Sequence, residues 1–240
     1  MEVPDAIWNR ARGDLVIRTE KGEEDVFLWE HAARVARTAE YVSALPVVAS
    51  ENPDPIAVCA AALYHDFAWA AEFQRGAVQR IEILTTSISR AQRELSVTML
   101  EERLSDILPG DSLARAAEAI RTVDERKIAS IEGRIVAEAI HLDEVGLLYL
   151  WRLIRRYTLD GKGTRAVVER WRREHEYHYW TSRLQDEFHF DATRRLAQER
   201  VETYARFMED LEPLVDGLDV KALLDPSSVP KPSVRTKPTG

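Results

Sequence analysis

Apolar side chains recur along this chain at helical spacings of three and four residues, and no long segment shows convincing period-two alternation. Residues 5–18 predict a first helix. Residues 25–45, DVFLWEHAARVARTAEYVSAL, predict a second, with Val35, Thr38, Val42 and Leu45 roughly along one stripe. Pro46 and the SENPDP stretch break the chain. Residues 56–73, IAVCAAALYHDFAWAAEF, are apolar nearly all round and predict a mostly buried helix. An amphipathic segment over 87–108 opens with Ser89-x-x-Gln92, the pattern of a capping box. Pro109-Gly110 stops it, and Asp111 is positioned to cap the segment that follows. Residues 131–157 give either one long helix or two joined near Gly146, and a DGKG turn precedes two further helical stretches, 164–185 and 191–215. From Asp225 onward the chain is proline-rich and mildly basic, with no periodic face. The pattern predicts an all-α bundle over residues 1–224 and a flexible tail over 225–240.

Composition narrows the classes. The 240 residues are 45% hydrophobic and 31% charged, a balance typical of a folded globular chain. A net charge of -8 argues against a nucleic-acid polymer as the main partner, yet leaves room for a small anionic substrate in a locally positive pocket. The single cysteine, Cys59, excludes an intramolecular disulfide and a multi-thiolate metal site, and reads as a small core residue. No run approaches the roughly 18 apolar residues of a membrane span, and the N-terminus lacks a signal-peptide pattern, so the expectation is a cytoplasmic protein.

Candidate chemistry sits inside the apolar run, in AALYHDFAWA, residues 61–70. An ionised carboxylate there is costly unless something pairs with it. His65 and Asp66 are adjacent, so on a helix they point about 100° apart and can grip one ion only near a helix end or from a favourable seam. A second helix must supply the rest. His31 is the other histidine of the first half, and Ala32, Ala33, Ala36 and Ala39 around it would allow close helix approach. Imidazole and carboxylate suit a divalent cation. The competing reading is a buried hydrogen-bonded cluster without an ion. Arg34, three residues after His31 on nearly the same face, is placed to bind a phosphate or to pair with a nearby acid. His175 and His178 have i, i+3 spacing; His178 lies among aromatics that could wall a pocket, which makes it a candidate substrate contact. The stretch WRLIRR, 151–156, reads as a core edge with a charged rim.

The H-x-x-R-V at His31, the L-Y-H-D at His65-Asp66 and the block IEGRIVAEAIHLDEVG over 131–146 together resemble the HD-domain phosphohydrolase superfamily, over roughly residues 25–213. The resemblance implies an all-helical HD-domain-like bundle and one divalent metal ion held by His31, His65, Asp66 and a later aspartate. The chain departs from the pattern at that last position, where Ile140 stands. Asp143, about 60° further round a continuous helix, and His141 are the candidates to replace it. The expected site is therefore His31, His65, Asp66 and Asp143 on the metal. Asp66 also takes a catalytic part in orienting water, and Arg34, His141 and His178 take the substrate.

The resulting expectation is metal-dependent hydrolysis of a small phosphorylated molecule, with a nucleotide as one candidate class. Two alternatives share the fold. One is a degenerate HD domain that binds a ligand or partner without catalysis. The other is a dinuclear iron oxygenase, disfavoured because residues 67–140 hold no histidine, although Glu72 or Glu138 could stand in as carboxylate ligands.

Overall fold

The computed structural model describes residues 3–224 except 20, 84 and 222; the expected tail, 225–240, lies outside the described residues. The chain opens with α1 (Asp5–Leu15), a short antiparallel pair β1 (Ile17–Arg18) and β2 (Glu24–Asp25), then α2 (Phe27–Ser43) and α3 (Pro46–Ala49). The apolar run forms α4 (Pro55–Tyr64) and α5 (Phe67–Gln74), followed by α6 (Arg90–Leu104) and α7 (Gly110–Thr122). Then come α8 (Ile131–Asp143), α9 (Leu147–Leu159), α10 (Thr164–Glu176), α11 (Tyr179–Asp186), α12 (Asp191–Val215) and the short α13 (Leu218–Lys221). Helices thus account for almost all regular structure among the described residues, as the periodicity predicts. The two-residue strands are too short to show alternation in sequence.

α4 is buried along its whole length, from Ile56 to Tyr64, and packs between α2, α7 and α8. Its small side chains, with Ala32, Ala36 and Ala39 of α2 fully or almost fully buried against it, let the helix backbones approach closely. α8 adds Ile135, Val136, Ala137 and Ala139 to the same core. These three helices carry the candidate site.

Local chemistry sets the ends. Ser89 accepts from the Gln92 N–H at 3.2 Å while the Gln92 side chain accepts from the Ser89 N–H at 2.8 Å, so the capping box forms as predicted. Asp54 caps α4 through the N–H groups of Ile56 and Ala57. The expected cap by Asp111 does not form: α7 begins one residue earlier, and Asp111 lies in its first turn. The alternative of two helices at 131–157 is the one adopted, with Gly146 at φ +71 between α8 and α9. A Cβ there would stand 2.8 Å from the Arg200 backbone oxygen, so the turn requires glycine on both counts.

Two buried carboxylates fasten the outer elements to this core. Glu138 of α8, fully buried, accepts from the N–H groups of His189 and Phe190 and from the Thr193 hydroxyl, satisfying the start of α12. Asp25 accepts from Arg80 and Arg155 at 2.6 Å each and from the Phe27 N–H at 3.0 Å, joining the hairpin to the segment after α5 and to α9.

Candidate metal centre

The apolar run over 56–73 is one helix by its pattern but two in the structure, and the break falls at His65-Asp66. Asp66 leaves helical geometry at φ -107 and ψ 14 and gives no side-chain cap to α5. The Oγ of buried Ser96, from α6, accepts from the Ala68 N–H at 3.0 Å instead. A donor at the start of α5 is thereby satisfied from a neighbouring helix, and the Asp66 carboxylate turns toward the histidines. Nothing in sequence marked Ser96, whose role comes from the packing of α6 on α5.

His31 of α2 meets this hinge. Its Nε2 lies 3.1 Å from the His65 Nε2, and the Asp66 Oδ2 stands 3.5 Å from the first and 3.4 Å from the second. Among the described residues these three form the one group whose donor atoms converge in this way. Donors at about 2.0–2.2 Å from a divalent ion in tetrahedral or octahedral array are about 2.8–3.6 Å apart, so the triangle has the size of one coordination face. The opposite ring nitrogens agree with this. His65 Nδ1 is 2.9 Å from the Ala62 carbonyl oxygen, and His31 Nδ1 is 2.7 Å from the Asp143 carboxylate. Each Nδ1–H then donates outward, and each Nε2 presents its lone pair to the centre. Two lone pairs and a carboxylate facing one another inside the protein form a donor set that fits a cation.

The electrostatics follow. Burial opposes ionisation of Asp66, but the neighbouring His65 and His31 outweigh it and hold the carboxyl far below the ordinary range. Burial would lower His31, yet Asp143 and then Asp66 carry it above its ordinary value. His31 is 1% exposed, whereas the Asp66 side chain, at 12%, reaches the open side.

That side is a cavity of about 570 Å³. His65, Asp66, Trp69, Ile140 and His141 are among the residues that line it. Its cationic lining is Arg93, Arg152, Arg156, Lys162, Arg170 and Arg183, against Asp66, Asp124, Glu144 and Glu187 as carboxylates. A chain of net charge -8 therefore presents a locally positive concavity beside the three donors. Several cations are held by partners: Arg152 and Arg183 flank Glu144 at 2.9 and 2.6 Å, and Arg170 binds buried Glu174 at 2.6 Å. Burial opposes the Glu144 charge, but Arg152 and Arg183 pull its pKa down to about 2. Glu174 also takes the Tyr149 hydroxyl and the Trp180 Nε1–H, fixing the aromatic wall.

Several expected residues stand elsewhere. Asp143 is outside the three-donor group; it meets His31 at the opposite ring nitrogen, and both its oxygens accept from Arg34, at 2.7 and 3.1 Å. Arg34, read as a phosphate contact or as the partner of a nearby acid, pairs with an acid. The reason is one of register: Ile140 borders the cavity, and Asp143 lies most of a turn further along α8, level with the far edge of the His31 ring. His141 lines the cavity, its Nδ1 donating to the Glu187 carbonyl at 2.8 Å. His178 is exposed at the kink between α10 and α11, with φ +51, and is not among the lining residues. The Trp151–Arg156 stretch, read as a core edge with a charged rim, contributes Arg152, Leu153 and Arg156 to the cavity wall. Glu72 and Glu138, the possible second-metal carboxylates, bind Gln92 and the start of α12.

Solved structures share this arrangement of helices. Bacillus subtilis YpgQ, in complex with ADP, superposes with a TM-score of 0.56 at 23% identity, over 90% of this chain and 96% of that one. The Lin1889 protein of Listeria innocua superposes at 0.55 and 15% identity, over 90% and 98%. A predicted HD superfamily hydrolase from an uncultured Thermotogales bacterium aligns at 0.48 and 18% identity, over 89% and 92%. The fold is the one that YpgQ and the Lin1889 protein share. No protein-family model matches the sequence, and a search of curated proteins finds no match. Within this fold the three donors come from α2 and from the α4–α5 hinge, and Ile140 of α8 lines the cavity beside them. No helix among the described residues is long and apolar enough to cross a membrane.

Proposed function

We propose that this chain is a metal-dependent phosphohydrolase acting on a small phosphorylated substrate, with His31, His65 and Asp66 as the residues that hold one divalent ion. The observation that carries the reading is the convergence of two Nε2 lone pairs and one carboxylate within 3.1–3.5 Å, with His65 and Asp66 lining a cavity that has a cationic wall. When bound, the ion supplies Lewis acidity toward a phosphoryl oxygen and makes water a stronger acid. Asp66, the most exposed of the three, is placed to accept a hydrogen bond from water at the open face and to orient it. Arg156 and Lys162 line the same cavity and offer charge and hydrogen bonds to phosphate oxygens, and Arg152 adds charge while paired with Glu144. His141 stands beside them as a further polar contact. Trp69, Tyr149, Tyr157 and Tyr179 give the cavity apolar faces, and its volume falls within the usual range for small-ligand sites, about 300–1,000 Å³. The ADP complex of YpgQ makes a nucleotide the first class to test.

A second reading has one observation in its favour. Ile140 brings a hydrocarbon to the cavity that His65 and Asp66 line, which suits a module that binds its ligand without turning it over. Phosphate release measured across nucleoside mono-, di- and triphosphates and simple phosphomonoesters, with manganese, cobalt, nickel or magnesium, separates the two. Turnover that Asp66→Ala removes supports the hydrolase. Ligand binding without release under every metal supports the module.

A further inference from the structure

Asp143 sits next to the three donors but faces the wrong side of His31 to join them. The two nitrogens of an imidazole point away from each other, so an oxygen 2.7 Å from Nδ1 is out of bonding reach of an ion on Nε2. Swinging the carboxylate round would break that bond and both Arg34 bonds. The Asp143 side chain is 2% exposed, so no water replaces them. Arg34 is 32% exposed and reaches in from the rim of α2, one turn beyond His31. Arg200 of α12 completes the corner by donating to the Leu142 carbonyl at 2.5 Å.

We infer that Asp143 is a positioning residue, locked by Arg34, that holds His31 in its Nδ1–H form so that Nε2 is the nitrogen offered to the ion. This inference rests on the metal-dependent reading above. A histidine ligand is commonly oriented through its second nitrogen, and loss of such a partner typically costs 10–100-fold in metal affinity. His65 needs no carboxylate, because the Ala62 carbonyl one turn back does the same for its Nδ1. Among the described residues no carbonyl partners His31 Nδ1, and Asp143 supplies the acceptor from another helix. The acid next to the substituted position is therefore not a replacement ligand for Ile140.

The test uses the full chain and cobalt(II) alone as the probe. In metal-free protein, at a pH where the imidazole is neutral, long-range proton–nitrogen NMR should show His31 protonated on Nδ1. Asp143→Ala should move or divide that proton between the two nitrogens and weaken cobalt binding about 10–100-fold. At saturating cobalt its visible spectrum should keep the parent's bands, since the donors are unchanged. Asp143→Asn, which retains an acceptor oxygen, should lose less affinity than Asp143→Ala. A parent His31 protonated on Nε2, unchanged affinity in Asp143→Ala, or a saturated spectrum showing a lost ligand would each overturn the inference. Should Asp143→Ala fail to fold, the parent tautomer and the asparagine variant still decide. A parent chain that binds no cobalt overturns the metal reading as a whole. A parent that binds it, with an Asp143→Ala chain that binds it equally, overturns only the role of Asp143.

Discussion

Ile140 decides how open the site is. It lines the same cavity as His65 and Asp66, and a carboxylate in its place is the test of whether α8 can add a fourth donor. Ile140→Asp should therefore tighten divalent-metal binding, by about tenfold or more if the new oxygen reaches the ion, and raise any phosphate release measured beside it. Calorimetric titration of the variant checks this; affinity equal to or below the parent's would mean that α8 gives nothing to the ion even when it carries an acid. At this scale the sequence showed His31, His65 and Asp66 as a group, because an adjacent His-Asp pair in an alanine-rich run has few uses. It did not show what Asp143 does. Whether that acid meets the ion, His31 or Arg34 depends on how α8 is rotated against α2, and no local spacing encodes the rotation.

Elements are held to the core by charge as well as by hydrocarbon, and Glu138 is the example with the clearest consequence. It is fully buried and is the acceptor for two backbone N–H groups and a hydroxyl at the start of α12. Glu138→Ala leaves those donors without partners, at about 1–3 kcal/mol for each unsatisfied group, less what local relaxation recovers. A loss of about 2–4 kcal/mol in urea unfolding is expected, with hydrogen exchange rising first over 188–195. A loss under about 0.5 kcal/mol would show that water already serves the turn. Helix positions were largely legible from apolar spacing, and Gly146 correctly marked a joint. The break at 65–66 was not, since it carries neither glycine nor proline and is satisfied from α6 by Ser96. The lining face of α9 was missed for a different reason: a polar helix face looks the same in sequence whether it meets bulk water or a concave wall.

For the whole molecule, several buried or half-buried acids lie below their ordinary range for local reasons. Asp66 and Asp143 are drawn down by His65, His31 and Arg34 against the cost of burial, Glu144 to about 2 by Arg152 and Arg183, and Asp25 by Arg155, Phe27 and Arg80. A group with a depressed folded value adds stability that is complete above its unfolded value and is lost as pH falls toward the folded one. Metal-free protein should therefore lose melting temperature steeply below about pH 5, the ordinary carboxylates titrating near pH 4, while His31, raised above its ordinary value, adds stability that is lost as pH rises through its folded value. Stability that rises from pH 6 to pH 4 would contradict this sign. Residues 226–240, which include four prolines and no periodic apolar face, should be removable without loss of metal binding.

The central claim is that His31, His65 and Asp66 hold one divalent ion beside the cavity. Elemental analysis of the full chain after equilibration with cobalt(II) and desalting, beside His65→Ala and Asp66→Ala, tests it most directly. The account predicts about one ion per parent chain and a small fraction of one in either variant, with helical circular dichroism unchanged in all three, because an open site with three protein donors cannot spare one. Equal metal content in the parent and both variants, or no metal in a folded parent, would contradict it.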